Sequence, residues 1–110
     1  MRVRRLDPLV LTVRDIETTV AFYERVLGMR RVDFAAGTRV ALAFGEQKLN
    51  LHAHGSEFLP NARAAQPGSA DLCLLVEPPL DKVLAHLESQ GVELCRAMGT
   101  LDRELEEVAE

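Results

Sequence analysis

Cysteine is scarce in this 110-residue chain, and its two copies, Cys73 and Cys95, have no CxxC spacing. That pattern argues against a zinc knuckle, a redox motif or a disulfide framework, and leaves two buried or edge thiols in a reducing compartment. No apolar stretch is long enough to cross a bilayer, and the charges of Met1-Arg2-Val3-Arg4-Arg5 are not followed by the apolar run of a signal peptide. Neither a membrane partner nor export is expected, and a cytoplasmic location is. A basic stripe is missing as well. The formal net charge is −4, and the lysines and arginines beyond the N-terminus are scattered among acids, so a nucleic-acid partner is not expected.

What remains is an ordinary globular composition, 47% hydrophobic and 27% charged, which suits a single domain able to bury a core. Leu9 to Val13 alternates as a strand, with Leu9, Leu11 and Val13 on one face and Pro8, Val10 and Thr12 on the other. Asp15 is placed to cap a helix whose stripe is Ile16, Val20, Tyr23 and Leu27, and Gly28 ends it. Met29 to Phe34, Arg39 to Phe44 and Lys48 to His54 then read as an antiparallel meander joined by Gly-containing turns. The unit is β-α-β-β-β.

Residues 55–69, rich in Gly, Ser, Pro, Ala and Gln, read as a linker. Beyond them Asp71 to Val76 is expected to be a strand. Pro78-Pro79 opens a helix with Leu80, Val83, Leu84 and Leu87 on its buried face, Gly91 closes it, and Val92 to Leu94 alternates again. Sliding the chain along itself until Leu9 falls on Leu72 also brings Leu11 onto Leu74, Val13 onto Val76, Val20 onto Val83 and Gly28 onto Gly91. The agreement of strand alternation, helix register and terminal glycine at one offset predicts a duplicated module. The second copy is incomplete: the counterpart of His52 would fall past Glu110. Residues 96–110 break the pattern, and Leu101, Leu105 and Val108 suggest a short amphipathic helix. The expected organisation is one α+β domain, with module one at about 5–54, a linker at 55–69, a partial module two at 70–95 and an atypical tail at 96–110.

Arg14-Asp15-Ile16-Glu17, Ala21-Phe22-Tyr23-Glu24-Arg25-Val26-Leu27-Gly28-Met29, Leu49-Asn50-Leu51-His52 and Gly68-Ser69-Ala70-Asp71-Leu72-Cys73 resemble the glyoxalase/bleomycin-resistance/extradiol-dioxygenase group, the vicinal oxygen chelate superfamily, over roughly residues 5 to 95. The resemblance implies tandem βαβββ modules forming a cupped sheet. It also implies a divalent metal (zinc, nickel, manganese or iron) that holds two adjacent substrate oxygens and acts as a Lewis acid. If the protein is active, it implies a metal-dependent lyase or an extradiol-type dioxygenase. Carried onto this chain, the first-strand ligand position is Pro8, which has no donor. His52 and Asp71 are the surviving metal candidates, and the fourth ligand, a Glu on the last strand, has no counterpart.

Each candidate has a plainer role. His52 is either a ligand or a hydrogen-bonded histidine on a cavity-facing strand, sharing its face with Lys48, Asn50 and His54. His54 is expected to be solvated near the loop, although the two imidazoles together would make an adventitious metal site. Asp71 is either a ligand or a strand-start carboxylate, and His86 is read as surface. Cys73, with no base or cation to activate it, is read as packing. Phe22 and Tyr23 are read as core. Two further readings compete with the enzyme: a metal-free small-molecule-binding module whose pocket forms at a dimer interface, and a vestigial truncated paralogue with a frameshifted tail. Unpaired sheet edges in the second module predict a homodimer.

Overall fold

The computed structural model describes residues 1–6, 8–59, 61–68, 70 and 72–94. The chain divides into two compact units, Met1–Cys73 and Leu74–Glu110.

The first unit holds β1 (Leu9–Val13), α1 (Ile16–Leu27), β2 (Arg30–Phe34), β3 (Arg39–Phe44) and β4 (Gln47–Ala53), with sheet order β1-β4-β3-β2. The expected β-α-β-β-β module is present. Asp15 caps α1 with its carboxylate, which accepts from the amides of Glu17 at 3.0 Å and Thr18 at 3.3 Å. Gly28, at φ 67°, turns the chain out of the helix while the amides of Gly28 and Met29 donate to the carbonyls of Glu24 and Tyr23. β2, β3 and β4 form the antiparallel meander, whereas β1 pairs parallel to β4, Leu11 opposite Leu51 and Thr12 opposite His52. A parallel pair needs a crossover, and β1 reaches β4 through α1 and the two intervening strands.

Because side chains alternate, the register assigns every strand residue to a face. Leu11, Val13, Val40, Leu42, Leu49 and Leu51 are buried together with Val20 and Val26 of α1, and Leu42 and Leu51 are fully enclosed. This is the core, between one face of the sheet and the helix. The stripe expected on α1 is rotated slightly, since Val26 is buried while Leu27 is 37% exposed. Phe22 corrects the sequence reading in the same way. At 39% exposure it lies on the outer side of α1, edge-on to Tyr23 at 5.6 Å, because Val20 and Val26 already fill the seam above the sheet.

In the second unit the helix forms as expected, α2 (Leu80–Ser89), and Gly91 at φ 71° closes it with the Val92 amide donating to the Leu87 carbonyl. The two strands read from the sequence on either side of it are not formed. Residues 72–76 and 92–94 are neither strand nor helix, and Leu72, Leu75, Val76 and Leu94 are exposed. Alternation alone does not hold a strand, whose stability comes from a ladder and cross-strand pairs, and none reaches these segments among the described residues. Cys73, read as packing, is exposed for the same reason. The tail helix expected within 96–110 lies outside the described residues. No helix among them is long and apolar enough to cross a membrane.

Candidate functional site

The face of the sheet turned away from α1 is organised by the cross-strand register into three rows. Thr12, His52, Arg39 and Phe34 share the first row; Val10, Asn50, Ala41 and Val32 the second; Lys48, Ala43 and Arg30 the third. The middle is floored by alanines. Cationic side chains stand at the first and third rows, and no strand residue in these rows is an acid. The acid on β2, Asp33, belongs to the other face, where it meets Arg31 at 3.2 Å, and Arg31 also meets Glu17 of α1 at 2.7 Å. Those two carboxylates hold the Arg31 guanidinium well above its ordinary pKa.

The linker closes one end of this face. The His54 amide donates to the Val13 carbonyl at 2.8 Å and the Gly68 amide to the Thr12 carbonyl at 2.9 Å, so both ends of the loop hang from adjacent residues of β1. From it Phe58 reaches back over the sheet. Its ring lies edge-on to His52, centroids 5.7 Å apart, and the Arg39 guanidinium sits 4.3 Å from its centroid. From the third row, the Lys48 side chain extends to the first, where its ammonium lies 5.2 Å from the Phe34 ring.

On this face, among the described residues, two buried polar atoms have no hydrogen-bond partner, Asn50 Oδ1 and His52 Nδ1. They belong to residues two apart on β4, hence roughly 7 Å apart along the strand. Unpaired buried groups of this kind cost about 1–3 kcal/mol each, so a bound water or a ligand is the expected partner of both. His52 is only 6% exposed. Burial first, and then the nearby Arg39 charge, push its pKa below the ordinary 6.5 against the smaller opposing pull of Glu57. Its imidazole is therefore neutral at physiological pH and offers a lone pair.

The residues singled out from the sequence are only partly gathered here. His52 is at the centre. His54, on the same strand face, is turned to Glu57, 3.5 Å from its Oε1, and stands 51% exposed. The Glu57 carboxylate is held below its usual range by the amides of Glu57 and Gly55, with a smaller contribution from His54. Asp71 lies outside the described residues. Pro8 precedes the Leu9–Leu49 pair and so stands level with Lys48, four positions or about 13 Å along the sheet from His52. A side chain at position 8 and His52 therefore do not meet at one ion. His86 is exposed, as expected. Sequence reasoning misses Arg39, Thr12 and Phe58. Arg39 and Thr12 become neighbours of His52 only through the register, whereas Phe58 has a readable signal, being the one aromatic residue in a polar linker.

Among the described residues no group of three His, Cys, Asp or Glu side chains comes together; His52 has Asn50 and Arg39 as its strand neighbours and lies within the field of the Glu57 carboxylate of the linker.

A four-stranded mixed sheet with one helix-covered face and one polar, loop-capped face is the half-cup of one superfamily. The chain matches the model of the Glyoxalase/Bleomycin resistance protein/Dioxygenase superfamily over residues 5–104, past the residue 95 at which the resemblance read from the sequence stops, and it belongs to that superfamily. It is 47% identical over 94 residues to the virulence protein STM3117 of Salmonella typhimurium, whose crystal structure it matches with a TM-score of 0.84, covering 88% of this chain and 76% of that one. It is 46% identical, also over 94 residues, to the glyoxalase domain-containing protein RDO1 of Mycosarcoma maydis. An integron cassette protein from the mobile metagenome of V. cholerae matches at 52% identity and a TM-score of 0.83, over 88% of this chain and 75% of the other. The matched part, 86% of this chain, spans 65% of the length of the Salmonella protein and 52% of the Mycosarcoma protein.

Proposed function

We propose that this glyoxalase-superfamily chain is a metal-free small-molecule-binding module, taking a compound with two neighbouring oxygens onto the polar face of its sheet. The observation that carries the reading is the pair of buried, unpartnered atoms Asn50 Oδ1 and His52 Nδ1. Asn50 Oδ1 is an acceptor, and His52 Nδ1 is one in the Nε2–H tautomer of the neutral imidazole; both stand on one face of β4, where a ligand with adjacent hydroxyls donates to them. The alternative, a metal-dependent lyase or dioxygenase built on His52 and Asp71, needs further carboxylate or imidazole ligands, and among the described residues no group of three such side chains comes together. Elemental analysis of the purified protein, then titration with zinc, nickel, manganese and iron(II), separates the two. Background metal in both wild type and His52→Ala is the expected result, and a stoichiometric ion lost in His52→Ala overturns it.

The module is proposed to work as a cytoplasmic homodimer. β1 is an edge strand with Leu9 and Val10 more than a third exposed, the kind of edge that a second copy covers. Size-exclusion chromatography with light scattering should give twice the 12.2 kDa chain mass; a monomer over the micromolar range refutes the assembly.

A further inference from the structure

We propose that the ligand of this face is a small hydroxy anion, a carboxylate or phosphate with a neighbouring hydroxyl, held by Arg39 and Lys48 above the acceptors of Asn50 and His52. The inference rests on the small-molecule reading above and adds the charge of the ligand.

Three observations carry it. First, charge is segregated across the sheet: Arg30, Arg39 and Lys48 occupy the polar face without an acid on its strands, while Asp33 and Glu17 neutralise Arg31 on the helix side. A chain with net charge −4 would place acids at random on both faces if charge there were indifferent. Second, the two central cations have rings rather than carboxylates as partners. Arg39 lies on Phe58 and Lys48 on Phe34, and neither forms an ion pair among the described residues. An aromatic face orients a cation while leaving its charge unspent, so the donors of both remain available to an anion. Third, the two cations converge. Phe34 is the cross-strand partner of Arg39, so Lys48, reaching over the alanine floor to Phe34, brings its ammonium toward the row that holds Arg39 and His52.

The hydroxyl requirement follows from the atoms below. Asn50 Oδ1 accepts hydrogen bonds and repels a bare anion, as does His52 Nδ1 in the Nε2–H tautomer, whereas a hydroxyl donates to either. A ligand with an anionic end and an adjacent hydroxyl satisfies the cations and an orphaned acceptor at once. Phe58 stands between Arg39 and His52, so its ring swings aside as the ligand enters.

The test uses three probes with one carbon skeleton, glycerol, glycerate and glycerol 3-phosphate, titrated into the isotopically labelled full chain at constant ionic strength and followed by NMR. The expected result is that at least one anion binds ten-fold or more tightly than glycerol and shifts the resonances of Asn50 and His52. The better anion identifies the group as carboxylate or phosphate. Arg39→Gln and Lys48→Gln should each weaken the anion at least five-fold and leave glycerol unchanged, and Lys82→Gln, on α2, should do neither. Lys48 is exposed, so its variant keeps the test valid if Arg39→Gln perturbs the loop. Equal binding of glycerol and both anions at Asn50 and His52 overturns the charge inference and leaves the small-molecule reading intact. Absence of any shift at those residues with all three probes overturns both.

Discussion

Residues 9–28 and 72–91 carry the same pattern, yet one copy folds into a strand and a packed helix and the other into a helix alone. α1 and α2 end alike, on glycines at φ 67° and 71°. β1 has β4 beside it and buries Leu11 and Val13, whereas its counterpart leaves Leu75 94% exposed and α2 has no buried residue at all. The difference teaches that helix boundaries are written locally, in caps and glycines. A strand and a core are properties of the partners an element meets.

The strongest way to break this comparison is to remove equivalent apolar volume from each side. Leu42→Ala, in the fully enclosed centre of the sheet, should destabilise the first unit by about 3–4 kcal/mol. Leu84→Ala, on α2, should cost less than about 1 kcal/mol, since a half-exposed side chain leaves no cavity. Chemical denaturation of both variants measures the contrast, and equal losses would show that the second unit has a core of its own.

A smaller effect is expected from pH. His52 has a folded pKa below 6.5, so below that value the unfolded chain takes up the proton more readily than the folded one. Stability of the first unit should therefore fall as pH drops through about 6.5, and His52→Asn should flatten that part of the profile. An unchanged slope in the variant would mean that the imidazole is not held neutral.

The smallest effect tests the meander. Ala35 and Ala36 both adopt positive φ, 51° and 56°, in the turn between β2 and β3, a region that disfavours any residue with a Cβ. Ala36→Gly should stabilise the first unit by roughly 0.5–1 kcal/mol, or at worst be neutral, because relief of strain competes with the greater chain entropy of glycine. A clear loss of stability in a melting experiment would mean that the turn takes another form.

Much of module one was legible because its signals are local. Asp15 before the helix, Gly28 after it and alternation in three successive segments place every element of the β-α-β-β-β unit. The candidate site was legible only in part. His52 could be picked out as an imidazole on a strand ending, but its importance comes from Arg39 on β3, Thr12 on β1 and Phe58 in the linker. Alternation assigns each of these to a face or a loop without saying which strand lies next to which. Phe22 was misplaced for a related reason: helical spacing offers several apolar stripes on α1, and only packing against the sheet selects Val20 and Val26.

The amino-acid sequence by itself determined where helices start and stop, the alternation of the strands, the repeat that lays Leu9 on Leu72, and the superfamily, because each is set by neighbours along the chain. Tertiary structure alone decided that 72–76 is no strand, that the cations of one sheet face share it with Asn50 and His52, and that a linker phenylalanine packs against His52 and Arg39. Those outcomes depend on register and on the burial of groups far apart in sequence, where a one-residue slip would exchange the two faces of the sheet.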